Sequence, residues 1–386
     1  MAGEDFPVSG ACVRLLAVGD LMLSDNRGTG AMIGKHGPCY PFAKIHTTLA
    51  AADLRFANLE TPLSTRGLVS GKQNPHITFR ANPTAIEGLR FSGFDVLSLA
   101  NNHLNDYGEP ALLDTLDLLK ANGIHSVGAG RNEAEAYQAV IVERKGMRIG
   151  FLAYSAFANL DTCPASGRQS GIAWFDRHRA IRQIKSLRHE VDIVIVSLHW
   201  GMDFTDYPVP FQRKFARALV AAGAHLILGH HPHHLQGIER YRHGAICYSL
   251  GDFVFDQADR DTLLLAVELS KKGVDKVEVL PARINSTFQP ERLYGQEAQK
   301  IIDRITLLSD AYQHLEETIE RQMLNRYIRT NVDIFKKSKN GLALRNLLIW
   351  DVIARMMILF FLKVRNRLVP GSTSTHASPG GEKPAG

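Results

Sequence analysis

The sequence has little cysteine: four in 386 residues, at positions 12, 39, 163 and 247, with no Cys-x-x-Cys pair. That excludes a disulfide-stapled scaffold and a cysteine zinc site, so any metal falls to imidazoles and carboxylates. A long apolar run is also missing. Within 346–362, the one stretch that invites a membrane reading, Asp351 and Arg355 intervene and the longest charge-free run is 356–362. A bilayer span needs about 20 apolar residues, so none is expected. Residues 1–10 contain Glu4 and Asp5 but neither a basic head nor an apolar core. No secretory leader is expected, and a cytoplasmic location follows. Compositional bias is absent too: 45% hydrophobic and 22% charged residues, with 32 Gly and 16 Pro spread along the chain, exclude a wholly disordered, collagen-like or coiled-coil protein.

What charge there is sits at one end. From Arg321 onward 12 Lys and Arg face 3 Asp and Glu, leaving 33 basic against 36 acidic residues in the first 320. The net charge of +6 therefore describes the tail. Without a zinc finger, RNP or helix-turn-helix pattern, it does not argue for a specific nucleic-acid partner. On a helical wheel Arg345, Asp351, Arg355, Lys363 and Arg367 share one arc, which predicts a basic amphipathic helix over 342–369. Such a helix either packs on its own protein or rests peripherally on an anionic membrane.

Short apolar runs at 12–18, 54–57, 95–99, 148–154, 192–198, 225–228 and 245–250 alternate with helical patterns. Near-continuous apolarity marks strands covered on both faces, so the fold class is α/β. Pro110 and Pro210 open helices that end at Asn122-Gly123 and Gly223. Segments 138–154 and 262–283, broken at Lys145-Gly146 and Lys271-Lys272-Gly273, predict hairpins. After Pro290 the period changes: Ile301, Ile305, Leu308, Tyr312, Leu315, Ile319, Met323 and Tyr327 form one face of a long helix. The expected organisation is an α/β domain over 11–285, a helical extension over 291–369, and a Gly/Ser/Thr/Pro-rich disordered tail over 370–386.

The polar residues fall where strands end. Gly19-Asp20, Asn58-Leu59-Glu60, Asn101-Asn102-His103, His199-Trp200-Gly201 and Gly229-His230-His231-Pro232-His233 each close an apolar run. Carboxyl ends of strands in open α/β sheets are where ligands bind. Neutral imidazole and carboxylate oxygen suit divalent Zn2+, Mn2+ or Fe2+, so a metal site is the economical explanation. Alone, Gly-Asp reads as a turn and His199 as a satisfied core histidine. The strongest element is His231-Pro232-His233, because residues two apart in an extended segment point to one side; His230 and His234 then fall behind the site or on the surface.

The block order Asp20, Glu60, Asn102-His103, His199 and His231-x-His233 resembles the calcineurin-like metallophosphoesterase superfamily. Within it the chain resembles the CapA family, also called PgsA, the poly-γ-glutamate capsule synthesis proteins. The carrying segments are Ala17-Val-Gly-Asp-Leu-Met22, Ala57-Asn-Leu-Glu-Thr-Pro62, Leu99-Ala-Asn-Asn-His-Leu-Asn-Asp-Tyr-Gly108, Leu198-His-Trp-Gly201, Leu228-Gly-His-His-Pro-His-His-Leu-Gln-Gly237 and Tyr248-Ser-Leu-Gly-Asp-Phe-Val-Phe255. The resemblance covers about residues 13–285. It implies a four-layer α/β/β/α sandwich, here with a C-terminal helical extension. Two departures from the superfamily are shared with CapA proteins: Met22 stands where the superfamily has a histidine, and Asn58-Leu59-Glu60 replaces its bridging-aspartate block. They leave one metal position short of a ligand. Asp252 stands where CapA proteins usually carry Asn.

Carried over residue by residue, the resemblance implies that Asp20, Glu60, Asn102, His199, His231 and His233 hold one or two divalent cations, with Glu60 bridging. His103 would be the catalytic group that donates a proton to a leaving oxygen. The expected activity is metal-dependent phosphoester hydrolysis in a capsule or poly-γ-glutamate synthesis protein. The alternative is a non-catalytic assembly or membrane-associated scaffold that keeps the fold. Expected partners are a phosphoester substrate or an anionic polymer, a polyglutamate synthase complex, and a membrane surface met through 342–369.

Overall fold

A computed structural model describes residues 12–25, 28–69, 77–157 and 162–314. The expected helix over 342–369 and the tail lie outside them. The chain begins with β1 (Val13–Leu21), α1 (Gly28–His36), α2 (His46–Ala50), β2 (Leu54–Leu59), α3 (Ala85–Phe91), β3 (Val96–Ser98), α4 (Gly108–Ala121), β4 (His125–Val127) and β5 (Ala129–Gly130). It continues through α5 (Glu133–Ala136), β6 (Val140–Arg144), β7 (Met147–Ser155), β8 (Gly171–Ile172), α6 (Arg177–Leu187), β9 (Ile193–His199), α7 (Pro210–Ala222) and β10 (Leu226–His230). Last come β11 (Ile238–Tyr241), β12 (Gly244–Cys247), β13 (Asp252–Val254), β14 (Arg260–Ser270), β15 (Gly273–Ile284), β16 (Pro290–Arg292) and α8 (Gly295–His314).

Two sheets carry the fold. The first runs β16-β15-β14-β1-β2-β3-β4, with β13 also paired to β1; the second runs β11-β12-β10-β9-β7-β6. Each mixes parallel and antiparallel pairs. The parallel centre is β1-β2-β3 in one and β7-β9-β10 in the other. Both expected hairpins form, β6-β7 and β14-β15. Lys145 and Gly146 both adopt positive φ, 49° and 71°, the backbone a two-residue hairpin turn demands.

Alternation along β1 explains the layering. Leu15 and Ala17 face one way and pack with Phe56, Val96, Ile149, Phe151, Ile195 and Leu228 between the sheets. Leu16 and Val18 face the other way, onto Ile33, Leu49, Leu89, Leu112 and Leu119 of α1 to α4. On the far side Leu152, Val194 and Ile227 of the second sheet meet Ile184 of α6 and Leu219 of α7. The result is the four-layer α/β/β/α sandwich. Its inner layer is dense: Phe56 and Phe151 stack at 5.7 Å, and truncating such a ring to alanine costs about 3–5 kcal/mol. The sheet runs past residue 285, since β16 pairs with β15. Beyond it α8 buries Ile301 and Ile305 in the inter-sheet cluster. All four cysteines are free thiols. Among the described residues no helix is long and apolar enough to cross a membrane.

Candidate metal centre

The carboxyl ends of the central strands of both sheets meet at one place. Asp20 lies in the last turn of pleat of β1, and Glu60 follows β2. Asn101-Asn102-His103 follows β3, His199 ends β9, and His230 ends β10 beside His199 in register. Asp20 is paired with Asn58 on one side and Asp252 on the other. This approach requires glycine at position 19: a Cβ there would stand 1.9 Å from the Gly251 carbonyl oxygen.

The structure brings Asp20, Glu60, His199, His231 and His233 together. Ligand atoms lie within 4.8 Å of one another in three overlapping sets: Glu60, His199 and His231; Asp20, Glu60 and His233; and Asp203, His231 and His233. Asn102 Oδ1 is 2.7 Å from His199 Nε2. Two lone-pair groups that close share either a proton or a cation. His103 stands at the edge of the cluster, its Nε2 3.9 Å from Glu60 Oε1. Its Nδ1 lies 2.8 Å from Asp106 Oδ2, which also accepts the Phe79 N–H. A carboxylate at Nδ1 keeps a proton there and aims Nε2 into the site.

One expectation is corrected. His231 and His233 converge, but not by strand alternation, because φ is 95° at His231 and 56° at His233. The backbone turns through the left-handed region instead. Such strain persists only where the surroundings impose it. His230 lies behind the site with Nδ1 3.1 Å from Asp20 Oδ1, and His234 pairs with Asp206 at 3.0 Å on the rim.

Several side chains outside the expected ligand set order the site. Asn58 donates to Asp20 Oδ1 at 2.9 Å and lies 3.3 Å from His199 Nδ1, while Asn101 donates to Asn58 Oδ1 and to the Leu59 carbonyl. Asp252 fixes His233 through Nδ1 at 2.7 Å. Asp203 lies 3.2 Å from His231 Nε2. Asn58 and Asp252 sit at ends of strands beside Asp20, a signal the sequence does carry; Asp203 sits in a loop with none.

The electrostatics are those of a cluster with too many charges for its burial. Burial pushes Glu60 well above the ordinary carboxyl value, and the Asp20 charge adds to it. Burial would raise Asp20 also, but the hydrogen bond and charge of His230 outweigh it and hold Asp20 below the carboxylate range. Burial, joined by the His231 charge, keeps His199 well below its usual value. Burial lowers His231 to about 4 against the pull of Asp203. Burial would lower His233 as well, yet the Asp252 charge and hydrogen bond push it up to about 10.

The donor set fits a divalent cation. Glu60 is fully buried, and neither carboxylate oxygen accepts a hydrogen bond; both ring nitrogens of His231 and Asp252 Oδ2 are likewise without one. Buried polar atoms are almost always paired, so this concentration at one point is a ligand-binding signature. A separate cavity of about 290 Å³ is lined by Leu68, Asn105, Glu109, Cys163 and Ser170, and none of the candidate ligands lines it.

The profile of a family described as "Bacterial capsule synthesis protein PGA_cap" matches residues 14–257. The capsule biosynthesis protein CapA of Bacillus anthracis is 32% identical over 299 residues, 72% of this chain and 71% of that one. The PGA biosynthesis protein CapA of Bacillus subtilis is 31% identical over 294 residues, 75% of this chain and 76% of that one. Among solved structures, the NAD nucleotidase of Haemophilus influenzae aligns with 84% of this chain and 68% of its own length, at 12% identity and a TM-score of 0.42.

Proposed function

The chain belongs to the bacterial capsule synthesis protein family PGA_cap, and from that membership we propose that it serves poly-γ-glutamate or capsule synthesis with a divalent-cation site of phosphoesterase type. The observation that carries the reading is Glu60, a wholly buried carboxylate with no hydrogen bond to either oxygen, shared by two of the three convergent donor sets. Asp20, Glu60, Asn102, His199, His231 and His233 would hold one or two cations. A bound Mn2+, Zn2+ or Fe2+ supplies charge neutralisation at a phosphoryl oxygen and acidifies a water.

The chain's own residues divide the remaining work. Asn58 and His230 fix Asp20, and Asp252 fixes His233, so the donors are held before any ligand arrives. His103, oriented by Asp106, would act as the imidazolium, giving its Nε2 proton to a leaving oxygen and returning to the neutral Nδ1–H form. Partners on this reading are a polyglutamate synthase complex, its acidic polymer, and a membrane surface met through 342–369.

The test is purification without chelator, metal analysis, and assay of an aryl phosphodiester with Mn2+. The expected result is bound divalent metal and hydrolysis lost in the Asp20→Ala, His231→Ala double variant. Hydrolysis that survives both substitutions rejects the site. His103→Gln should keep the metal and lose about 10²–10⁴ in rate.

A second reading, a metal-bearing scaffold without catalysis, is favoured by Met22. It packs with Phe79, Phe255 and Ile284 and offers no strong ligand where the superfamily has histidine. Stoichiometric metal without hydrolysis, together with lower polymer output on gene deletion, would select it.

A further inference from the structure

We propose that Asp203 is a cation ligand on the rim of the cluster, supplied by the loop that follows β9. The inference rests on the reading of the cluster as a divalent-cation site, and it adds a ligand outside the strand-end pattern.

Three observations carry it. Asp203 Oδ1 lies 3.2 Å from His231 Nε2, and with His231 and His233 it completes a set whose ligand atoms all fall within 4.8 Å. The His231 side chain is 2% exposed and neither ring nitrogen makes a hydrogen bond, so a buried imidazole turns Nε2 toward this carboxylate without being satisfied by it. The two loops are also tied in register: the Phe204 N–H donates to the Pro232 carbonyl at 2.8 Å and the Trp200 N–H to the His230 carbonyl at 3.0 Å. Those bonds bracket Asp203 on one side and His231 on the other. Phe204 is held at φ 55° to make its contact. A loop free to relax would not keep that conformation.

The neighbouring acid behaves differently. Asp206 Oδ1 pairs with His234 at 3.0 Å and Arg304 at 2.9 Å. Two carboxylates three residues apart thus have separate jobs. Asp206 anchors the loop to α8, and Asp203, 49% exposed, faces the imidazoles from the solvent side. A cation at that set would sit at the mouth of the cluster, where substrate arrives.

The experiment is Mn2+ titration of the metal-stripped full chain by calorimetry, for the wild type, Asp203→Asn and Asp303→Asn, the second an exposed acid of α8 bonded only to Gln299. Both substitutions remove one negative charge, and only the first removes the proposed ligand. Asp203→Asn should weaken Mn2+ binding by about tenfold or more, the scale on which even supporting groups act at metal sites, with Asp303→Asn close to wild type. Thermal unfolding of the metal-free proteins shows that Asp203→Asn is folded. An Asp203→Asn isotherm that overlays the wild type overturns the proposal while leaving the cation site standing. Equal weakening by both variants overturns it as well, because the effect is then long-range charge. A wild type that binds no Mn2+ overturns both readings.

Discussion

The two ends of the sandwich use the same residue types to opposite effect. At the amino ends of β2, β3 and β9 the leading aspartate is fully engaged. Asp53 accepts the Arg14 N–H at 2.8 Å and pairs with Lys145 at 2.7 Å; Asp95 accepts the Arg55 N–H at 2.8 Å and pairs with Arg55 and Arg144; Asp192 accepts the Arg148 N–H at 2.8 Å. Burial would raise Asp53, but the Arg14 N–H and Lys145 hold it below its ordinary value. At the carboxyl ends Asp20, Glu60 and Asp252 have no Arg or Lys ion-pair partner among the described residues and share one crowded space with five histidines, including His230. Staples are recognised by their partners and sites by lacking them: the amino edge holds the sheets together, and the carboxyl edge is held by them for something else.

Breaking the carboxyl edge should separate binding from stability. Glu60→Gln is expected to abolish divalent-metal binding while leaving the unfolding midpoint of the metal-free protein unchanged or higher, because a buried carboxylate without donors is removed. Metal analysis and calorimetric melting check the pair of outcomes. A lower midpoint would mean that Glu60 is a staple after all.

Breaking the amino edge should do the reverse. Asp95→Ala strips two part-buried arginines and a backbone N–H of their shared acceptor, at about 1.5–3 kcal/mol, with metal content intact. Denaturant unfolding measures the first and elemental analysis the second. Chelation gives a third contrast. Removing metal should lower the stability of the wild type by about 2.7 kcal/mol when the free ion had been at a hundred times its Kd, and should leave Glu60→Gln unmoved.

The finest test uses His225, which occupies the amino-edge position before β10. Its Nδ1 accepts the Val194 N–H at 2.9 Å, and burial, with the Arg188 charge, lowers it to about 4. A histidine depressed in the folded state contributes stability that is complete above the unfolded value near 6.5 and is lost as pH falls toward 4. Asp53 is also depressed and acts lower, below about pH 4. His225→Asn keeps an acceptor and should flatten the slope between pH 6.5 and 4 by up to about 1.4 kcal/mol per pH unit, the scale of one proton. An unchanged slope would assign the acid sensitivity to the histidines of the opposite edge.

Much of this was legible in the chain because strong periodicity and strand-end polarity are local signals. Every strand expected from an apolar run is present, and Pro210 and Gly223 mark helix ends as their backbone chemistry requires, whereas α4 begins at Gly108 and takes Pro110 into its first turn. Strands of two or three residues, such as β4, β5, β8 and β13, were not, since no period fits in so short a run. Asp20, Glu60, His199 and His231 could be grouped because each closes a buried strand. Asp203 could not, because its place depends on hydrogen bonds between loops distant in sequence, and neither could the positive φ at His231. The basic face over 342–369 and the helix face beyond His314 lie outside the described residues.

The donors come from both sheets, Asp20 and Glu60 from one and His199, His231 and His233 from the other. Both sets that contain Glu60 draw on the two sheets, so an ion lodged there would act as a rivet across their seam. Any force or mutation that pries the sheets apart would be felt first as a leaking metal, long before the helices on the outside unravel.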